Sequence, residues 1–330
     1  MKLAIEPLSP FRESQIASKS FLNKLKKSLK INGLCSFSTH YLPFYDMGLY
    51  ATTNKSIFNK PFVLRLDGIY IDKFNTIKNS DNENKKIFNS IEKSAGVIFN
   101  SQYSKSVVEK FYQKIEKPNI IIPNGVDRSL FNPEGSNLRH ELNIKNEEIV
   151  LITCALWRRH KRLKETIKLF KKIQNERSEN FKLIVIGPDN NHEKETNVIF
   201  SGYVKNEDLA KWYRTADYYI HLSWIEANSN SQCEAISCGL PVLCSNNGGN
   251  YESVLDLDVG VVSKCDELYD FTKIDLYNPP EPDYQILLKD FSLLIEKKFN
   301  FYKNSKIQKI DIHNVAKQYF DFIERVYKKN

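Results

Sequence analysis

The sequence predicts an α/β protein built as two doubly wound domains. Short runs rich in β-branched and aromatic residues recur along the whole chain, and helical periodicity fills the intervals between them. A Pro/Asn/Gly-rich stretch divides that pattern near residue 130. A length of 330 residues agrees with roughly two domains at about 100–200 residues each, and 41% hydrophobic with 12% aromatic residues suffices for a core in each.

In the first half, strands are expected at KLAIE (2–6), LCSFS (34–38), FVLRL (62–66), GVIFN (96–100) and NIIIP (119–123), with helices notably at 14–30 and 103–114. MKLAIEPLSPF is too short and too broken by proline for a secretory signal peptide and reads as a first strand. NSDNENKK (79–86) has no apolar residue to anchor it and reads as a mobile polar loop. PNGVDRSLFNPEGS (123–136) marks the boundary, giving domains 1–130 and 131–310. In the second half, strands are expected at EIVLITC (148–154), FKLIVIG (181–187), VIFSG (198–202), YYIHLS (218–223) and PVLCS (241–245). Helices fall at 161–176, 206–214, 230–238 and 249–255, and DLYNPPEPD (275–283) is a second break before further helical residues.

Composition narrows the classes. No run of about 18 apolar residues occurs, so no membrane span is expected. The six cysteines form no C-x-x-C pair, which fits reduced core thiols in a cytoplasmic protein and gives no zinc site. The net charge of +8 is uneven: residues 1–130 hold 20 Lys/Arg against 11 Asp/Glu, and 131–330 hold 28 against 29. Such asymmetry suits an anionic partner such as lipid headgroups, a lipid-linked phosphate or an acidic polymer, and equally a solvated lysine-rich surface. Lys19, Lys24, Lys26, Lys27 and Lys30 interleave with Phe21, Leu22, Leu25 and Leu29, so helix 14–30 is either a basic face for peripheral contact with an anionic membrane or a sheet-covering helix. No helix-turn-helix, zinc-finger or aromatic RNA-binding signature supports a nucleic-acid partner.

The richest stretch is SWIEANSNSQCEAISCGLPV (223–242). In a doubly wound sheet, ligands bind beyond the carboxyl ends of the strands. A helix start there, at Asn228 and Ser229, offers N–H groups to an anion. Glu226 and Glu234 are acceptors suited to sugar or ribose hydroxyls. Read alone, Ser231-Gln-Cys-Glu234 is also a capping box and Glu226 an ordinary loop acid. Two neighbouring stretches favour a site. Asn246 to Glu252 places Gly248 and Gly249 in a tight turn where backbone amides can approach a diphosphate. Trp157-Arg158-Arg159-His160-Lys161-Arg162 crowds four positive charges at another strand end. Asp67, before Gly68 at a third strand end, is either a turn former or a group that orients an acceptor hydroxyl. The D-x-D sequence Asp256-Leu-Asp258 sits in a loop and suggests no metal site.

Together these motifs resemble the donor-binding domain of retaining GT-B glycosyltransferases of family 4 (glycosyl transferases group 1). The resemblance rests on Glu226 and Glu234 with seven residues between, on SCGLPV (237–242) and GYVKNEDLAKWYRTADYYIHLS (202–223), and in the first half on FNSQYSKSVV (99–108) and IIPNGVDRSLF (121–131); it covers roughly residues 95–262. It implies two Rossmann-like domains facing across a cleft, a nucleotide-diphosphate sugar donor, and transfer to a glycan, lipid-linked or protein acceptor with retention of anomeric configuration. No cofactor or metal is implied. Carried over, Glu234 would bind the ribose and Glu226 the sugar hydroxyls. Gly248 and Gly249 would line the phosphate or sugar end, and Lys161 with Arg158 or Arg159 would hold the diphosphate. The terminal helix, 311–330, would pack back on the first domain. The chain departs from the family at Leu156, where an arginine is usual, at the glycine-free PLSPFRES (7–14), and at Asp67, where a histidine is common. A nucleotide-sugar epimerase on the same scaffold, against which the glutamate spacing argues, and a catalytically silent nucleotide-sugar-binding subunit are the alternatives.

Overall fold

A computed structural model describes residues 1–5, 17–38, 42–54, 56, 58–71, 80–188, 195–267, 269–271, 274–301 and 303–329, with backbone alone for 17–20. The glycine-free segment 7–14, the first residues of the expected helix 14–30 and the Lys19 side chain lie outside that description. In chain order the elements are β1 (Lys2–Ile5), α1 (Ala17–Ile31), β2 (Ser36–Ser38), β3 (Met47–Ala51), β4 (Phe62–Leu66), α2 (Ser80–Lys93), β5 (Gly96–Phe99), α3 (Gln102–Phe111) and β6 (Asn119–Ile121). There follow β7 (Ile149–Cys154), α4 (Leu163–Glu176), β8 (Phe181–Ile186), β9 (Val198–Gly202), α5 (Asn206–Thr215), β10 (Tyr218–His221), α6 (Asn230–Ser237), β11 (Val242–Ser245), α7 (Asn250–Leu257), β12 (Gly260–Ser263), α8 (Tyr284–Glu296) and α9 (Ile312–Tyr327).

The chain forms two compact units, Met1–Asp127 with Gln308–Asn330, and Arg128–Ile307. The first holds a six-stranded parallel sheet in the order β2-β1-β3-β4-β5-β6. Helix α9 packs within this unit: Val315, Ala316, Tyr319, Phe322, Ile323 and Val326 share one core with Leu3, Leu49, Val63 and Ile98 of the sheet. Phe21, Leu22, Leu25 and Leu29 of α1 lie in the same core at 0–1% exposure. Of the two readings of α1, the sheet-covering helix holds for its apolar residues: its leucines cover the sheet, each burial contributing about 1.5–3 kcal/mol, while Lys27 and Lys30 stay exposed.

Two expectations fail in this unit. Strand β3 is unmarked in the sequence because MGLYA carries a glycine and little β-branched character, yet all five residues are buried between β1 and β4. The polar segment 79–86 is no loop where it is described: its residues from Ser80 onward open α2. Asp81 and Glu83 in that first turn favour the positive end of the helix dipole, and only later residues, Ile87, Ser90 and Ile91, reach the core.

The second unit holds another six-stranded parallel sheet, ordered β12-β11-β10-β7-β8-β9. Leu151, Phe170, Leu183, Ile220, Leu243 and Phe291 are in its core, so α8, beyond the break at 275–283, packs here. From β7 the chain runs outward to β8 and β9, then returns to β10 on the other side of β7. That reversal places a switch point between β7 and β10, where α/β sheets open a crevice at their carboxyl ends.

Candidate functional site

The loops leaving β7 and β10 flank this crevice and are tied together. The Trp224 backbone N–H donates to His160 O at 2.8 Å, and the Ser231 hydroxyl donates to Cys154 O at 2.9 Å. Lys161 Nζ lies 2.7 Å from Glu226 Oε2, with the two side chains 15% and 22% exposed. Burial, the largest single influence, pushes the Glu226 carboxyl up, and the Lys161 ammonium is the strongest of the opposing influences that together hold it well below the usual carboxylate range. Burial, with the Lys161 and Arg158 charges, pushes the His160 imidazole down to about 4 against the opposing pull of Glu226, so it adds no positive charge at pH 7. Burial raises the Cys154 thiol to about 12, which leaves it a neutral wall residue.

The four cations after β7 have separate fates. Arg162, the left-handed N-cap of α4 at φ 56°, is fully buried; its guanidinium grips Asp266 at 2.7 and 2.9 Å and Pro280 O at 2.6 Å. Arg159 pairs with Glu165 at 2.6 Å, so it is committed to α4 rather than open to a diphosphate. Lys161 is held by Glu226. Arg158 is exposed and has no ion pair among the described residues. Of the two arginines considered for the missing family position, Arg158 is the uncommitted one.

Helix α6 starts at Asn230, where its sequence places it. Its N-cap is Ser229, whose hydroxyl accepts from Gln232 N, so the Ser231–Glu234 capping box is replaced. Ser231 lies inside the helix, and Glu234, 5% exposed, lies in its second turn. The backbone N–H of Ser229 is taken by Asn250 Oδ1 at 2.8 Å, and Asn228 is buried in the same turn at 9% exposure.

The glycine turn has a use that its sequence did not reveal. Gly248 has φ +75°, and a Cβ there would stand 2.3 Å from Glu226 O and 2.6 Å from Glu226 N. Gly249 N–H donates to Glu226 O at 2.8 Å. The expected bare amide at Gly249 is therefore occupied, and the turn presses on the peptide of Glu226 itself. In the same loops, Trp157 Nε1, Trp224 Nε1, Asn246 Oδ1 and Asn247 Nδ2 are buried without a hydrogen-bond partner among the described residues.

In the first unit, Asp67 follows β4. Its Oδ1 meets Arg65 Nη1 at 2.6 Å and accepts from Asn100 Nδ2 at 2.7 Å. Arg65 is 1% exposed, donates from Nη2 to Asn124 Oδ1 at 2.6 Å and stacks on Phe21. Asp67 is thus more than a turn former; a buried arginine orients it. Arg65, His221 and Asn250 went unremarked in the sequence, although an ionisable residue inside FVLRL and inside YYIH was the available signal. Asp258, of the D-x-D sequence, is spoken for by Lys297 at 2.9 Å.

Residues 136–273 match the family described as glycosyl transferases group 1. The chain is 26% identical over 168 residues to the alpha-monoglucosyldiacylglycerol synthase of Streptococcus pneumoniae (strain ATCC BAA-255 / R6), a match covering 46% of this chain and 37% of that protein. Among solved structures it is similar to sucrose-phosphate synthase from Thermosynechococcus elongatus, with a TM-score of 0.69 at 16% identity, covering 95% of this chain and 80% of the other. It is also similar to Anabaena HepE in complex with UDP-glucose, with a TM-score of 0.64 at 17% identity, covering 99% of this chain and 98% of the other. These likenesses show the fold, two parallel-sheet α/β domains of the GT-B type, and residues 136–273 are similar to the glycosyl transferases group 1 family.

Proposed function

We propose that this chain is a retaining glycosyltransferase that moves a hexosyl group from a nucleoside-diphosphate sugar to an acceptor hydroxyl. The observation that carries the reading is the Lys161–Glu226 pair at the switch point of the group 1 domain: a cation for a phosphate and a carboxylate for sugar hydroxyls, 2.7 Å apart. Glu226 accepts hydrogen bonds from the donor sugar and Glu234 from the ribose. As the bond between the anomeric carbon and the phosphate oxygen breaks, charge builds on the leaving diphosphate. Lys161, released from Glu226, and Arg158 stabilise that charge where it develops. The acceptor oxygen attacks the same face, and its proton passes to the departing phosphate oxygen. Asp67, with Oδ1 held by Arg65 and Asn100, is assigned to orient the acceptor hydroxyl through its other oxygen. The chemistry needs no metal, because a nucleoside diphosphate is already a competent leaving group.

For the acceptor, the relative's name, a glucosyldiacylglycerol synthase, supports a glycolipid or lipid-linked glycan. The basic first unit, with Lys27 and Lys30 exposed, supports a cytoplasmic protein working peripherally at an anionic membrane surface. The deciding experiment incubates the protein with a panel of nucleotide sugars, with and without glycolipid acceptors, and reads the product's anomeric configuration by proton NMR. Retained configuration and strict dependence on acceptor are expected. Inverted product would sink the mechanism, an isomerised sugar nucleotide formed without acceptor would point to the epimerase, and binding without turnover to the silent subunit.

A further inference from the structure

His221 ends β10 at 4% exposure, and its Nε2 has two polar neighbours, Asn250 Nδ2 at 2.8 Å and Glu226 Oε2 at 3.3 Å. Which of them it bonds follows from the next link. Asn250, 1% exposed and the first residue of α7, receives the backbone N–H of Ser229 on its Oδ1 at 2.8 Å. A backbone N–H can only donate, so Oδ1 faces Ser229 and the amide Nδ2 faces His221. That Nδ2 also only donates, so His221 Nε2 must accept and carries no proton. The ring is then neutral with its proton on Nδ1. Toward Glu226 it presents a lone pair, so the 3.3 Å contact sets two acceptors against each other, and the carboxylate oxygen turns to Lys161 at 2.7 Å instead.

We propose that His221 and Asn250 form a positioning pair that sets where the Glu226 carboxylate stands. The relay from His221 through Asn250 to Ser229 ties the end of β10 to the starts of both α7 and α6. Asn250 O also accepts from Gln232 Nε2 at 2.8 Å, and the adjacent Gly249 N–H holds Glu226 O at 2.8 Å. Glu226 is thereby fixed by its backbone and opposed by the His221 lone pair behind it, which leaves its charge directed at Lys161 and at whatever hydroxyls enter the site. The catalytic consequence rests on the donor-side role given to Glu226 above; the protonation state of His221 does not.

The test has two arms on the full chain. With histidine labelled by nitrogen-15, long-range proton–nitrogen correlation spectra at pH 7.5, assigned through His221→Gln, should show His221 protonated on Nδ1 alone. In Asn250→Asp a carboxylate oxygen replaces the donor, so Nε2 should gain a proton. In the second arm, with UDP-glucose as probe donor, folded His221→Leu should lose about tenfold in kcat/KM, as removal of a supporting partner commonly does, mostly in kcat. His221→Gln, which keeps an acceptor, should recover much of that loss. A wild-type protein carrying its proton on Nε2, or a folded His221→Leu with unchanged kcat and KM, overturns the pair. If the wild type transfers no sugar from any donor, the glycosyltransferase reading fails by itself, and the tautomer still decides whether the pair is built as described.

Discussion

The Lys161–Glu226 ion pair must open for Lys161 to reach a phosphate, which makes Glu226→Gln the most informative single substitution. The glutamine keeps the shape and removes the charge that holds the lysine. Close charge pairs couple by about 1.5–7 kcal/mol. With the side chains 15% and 22% exposed, water screens part of that, and the lower end, about 1.5 kcal/mol, applies. Nucleoside diphosphate binding to wild type proceeds against that amount, and binding to Glu226→Gln does not. Since about 1.4 kcal/mol is tenfold in an equilibrium constant, UDP should bind the variant roughly tenfold more tightly while sugar transfer falls. Isothermal titration of UDP into both proteins at pH 7.5 measures the first and a transfer assay the second. Unchanged or weaker UDP binding in Glu226→Gln would refute the idea that Glu226 restrains the phosphate-binding lysine.

Glu234→Ala should weaken nucleoside diphosphate binding by about 1–3 kcal/mol through unpaired ribose hydroxyls; a variant that only melts earlier and binds normally would return Glu234 to a purely structural place. Asp266→Ala leaves the buried Arg162 guanidinium with Pro280 O as its remaining partner among the described residues and should destabilise the second unit by about 3–5 kcal/mol, or roughly 6–20 °C in Tm, read by calorimetry. Acid should weaken the fold in two windows. His160, whose folded pKa is depressed to about 4 from 6.5, takes up a proton more readily when unfolded, so stability falls as pH drops between those values. Glu226, depressed below its ordinary 4.5, contributes stability present above that value and lost as pH falls through its lower folded pKa. Urea midpoints against pH should show the first loss vanish in His160→Gln.

What the sequence disclosed, and what it hid, follows from range. Strands such as IVLITC and FKLIVI announce themselves because both sheet faces are covered and every residue can be apolar. The glutamate pair was legible as spacing. The polar bonds that hold it were not, because Asn250 finds His221 across 29 residues and Arg162 finds Asp266 across 104. Local reading also left the cap of α6 open: Ser229 and Ser231 are equally good caps by type, and it is Cys154 O, 77 residues away, with the Tyr219 hydroxyl that holds the Ser231 hydroxyl aside. Strand β3 was lost for the same reason, since burial by neighbours rather than its own propensity makes it a strand.

The way α9 completes the first core has a consequence for how the protein is made. Residues Arg128–Ile307 are contiguous and can close their sheet as soon as they leave the ribosome. The first unit is synthesised earlier but lacks Tyr319, Phe322, Ile323 and Val326 until some 200 further residues have been added, at roughly 5–20 residues per second. Folding order is therefore reversed relative to synthesis. For that interval β1, β3 and β5 wait with one apolar face covered by α1 alone, which is when a nascent chain is most exposed to aggregation and most in need of a chaperone.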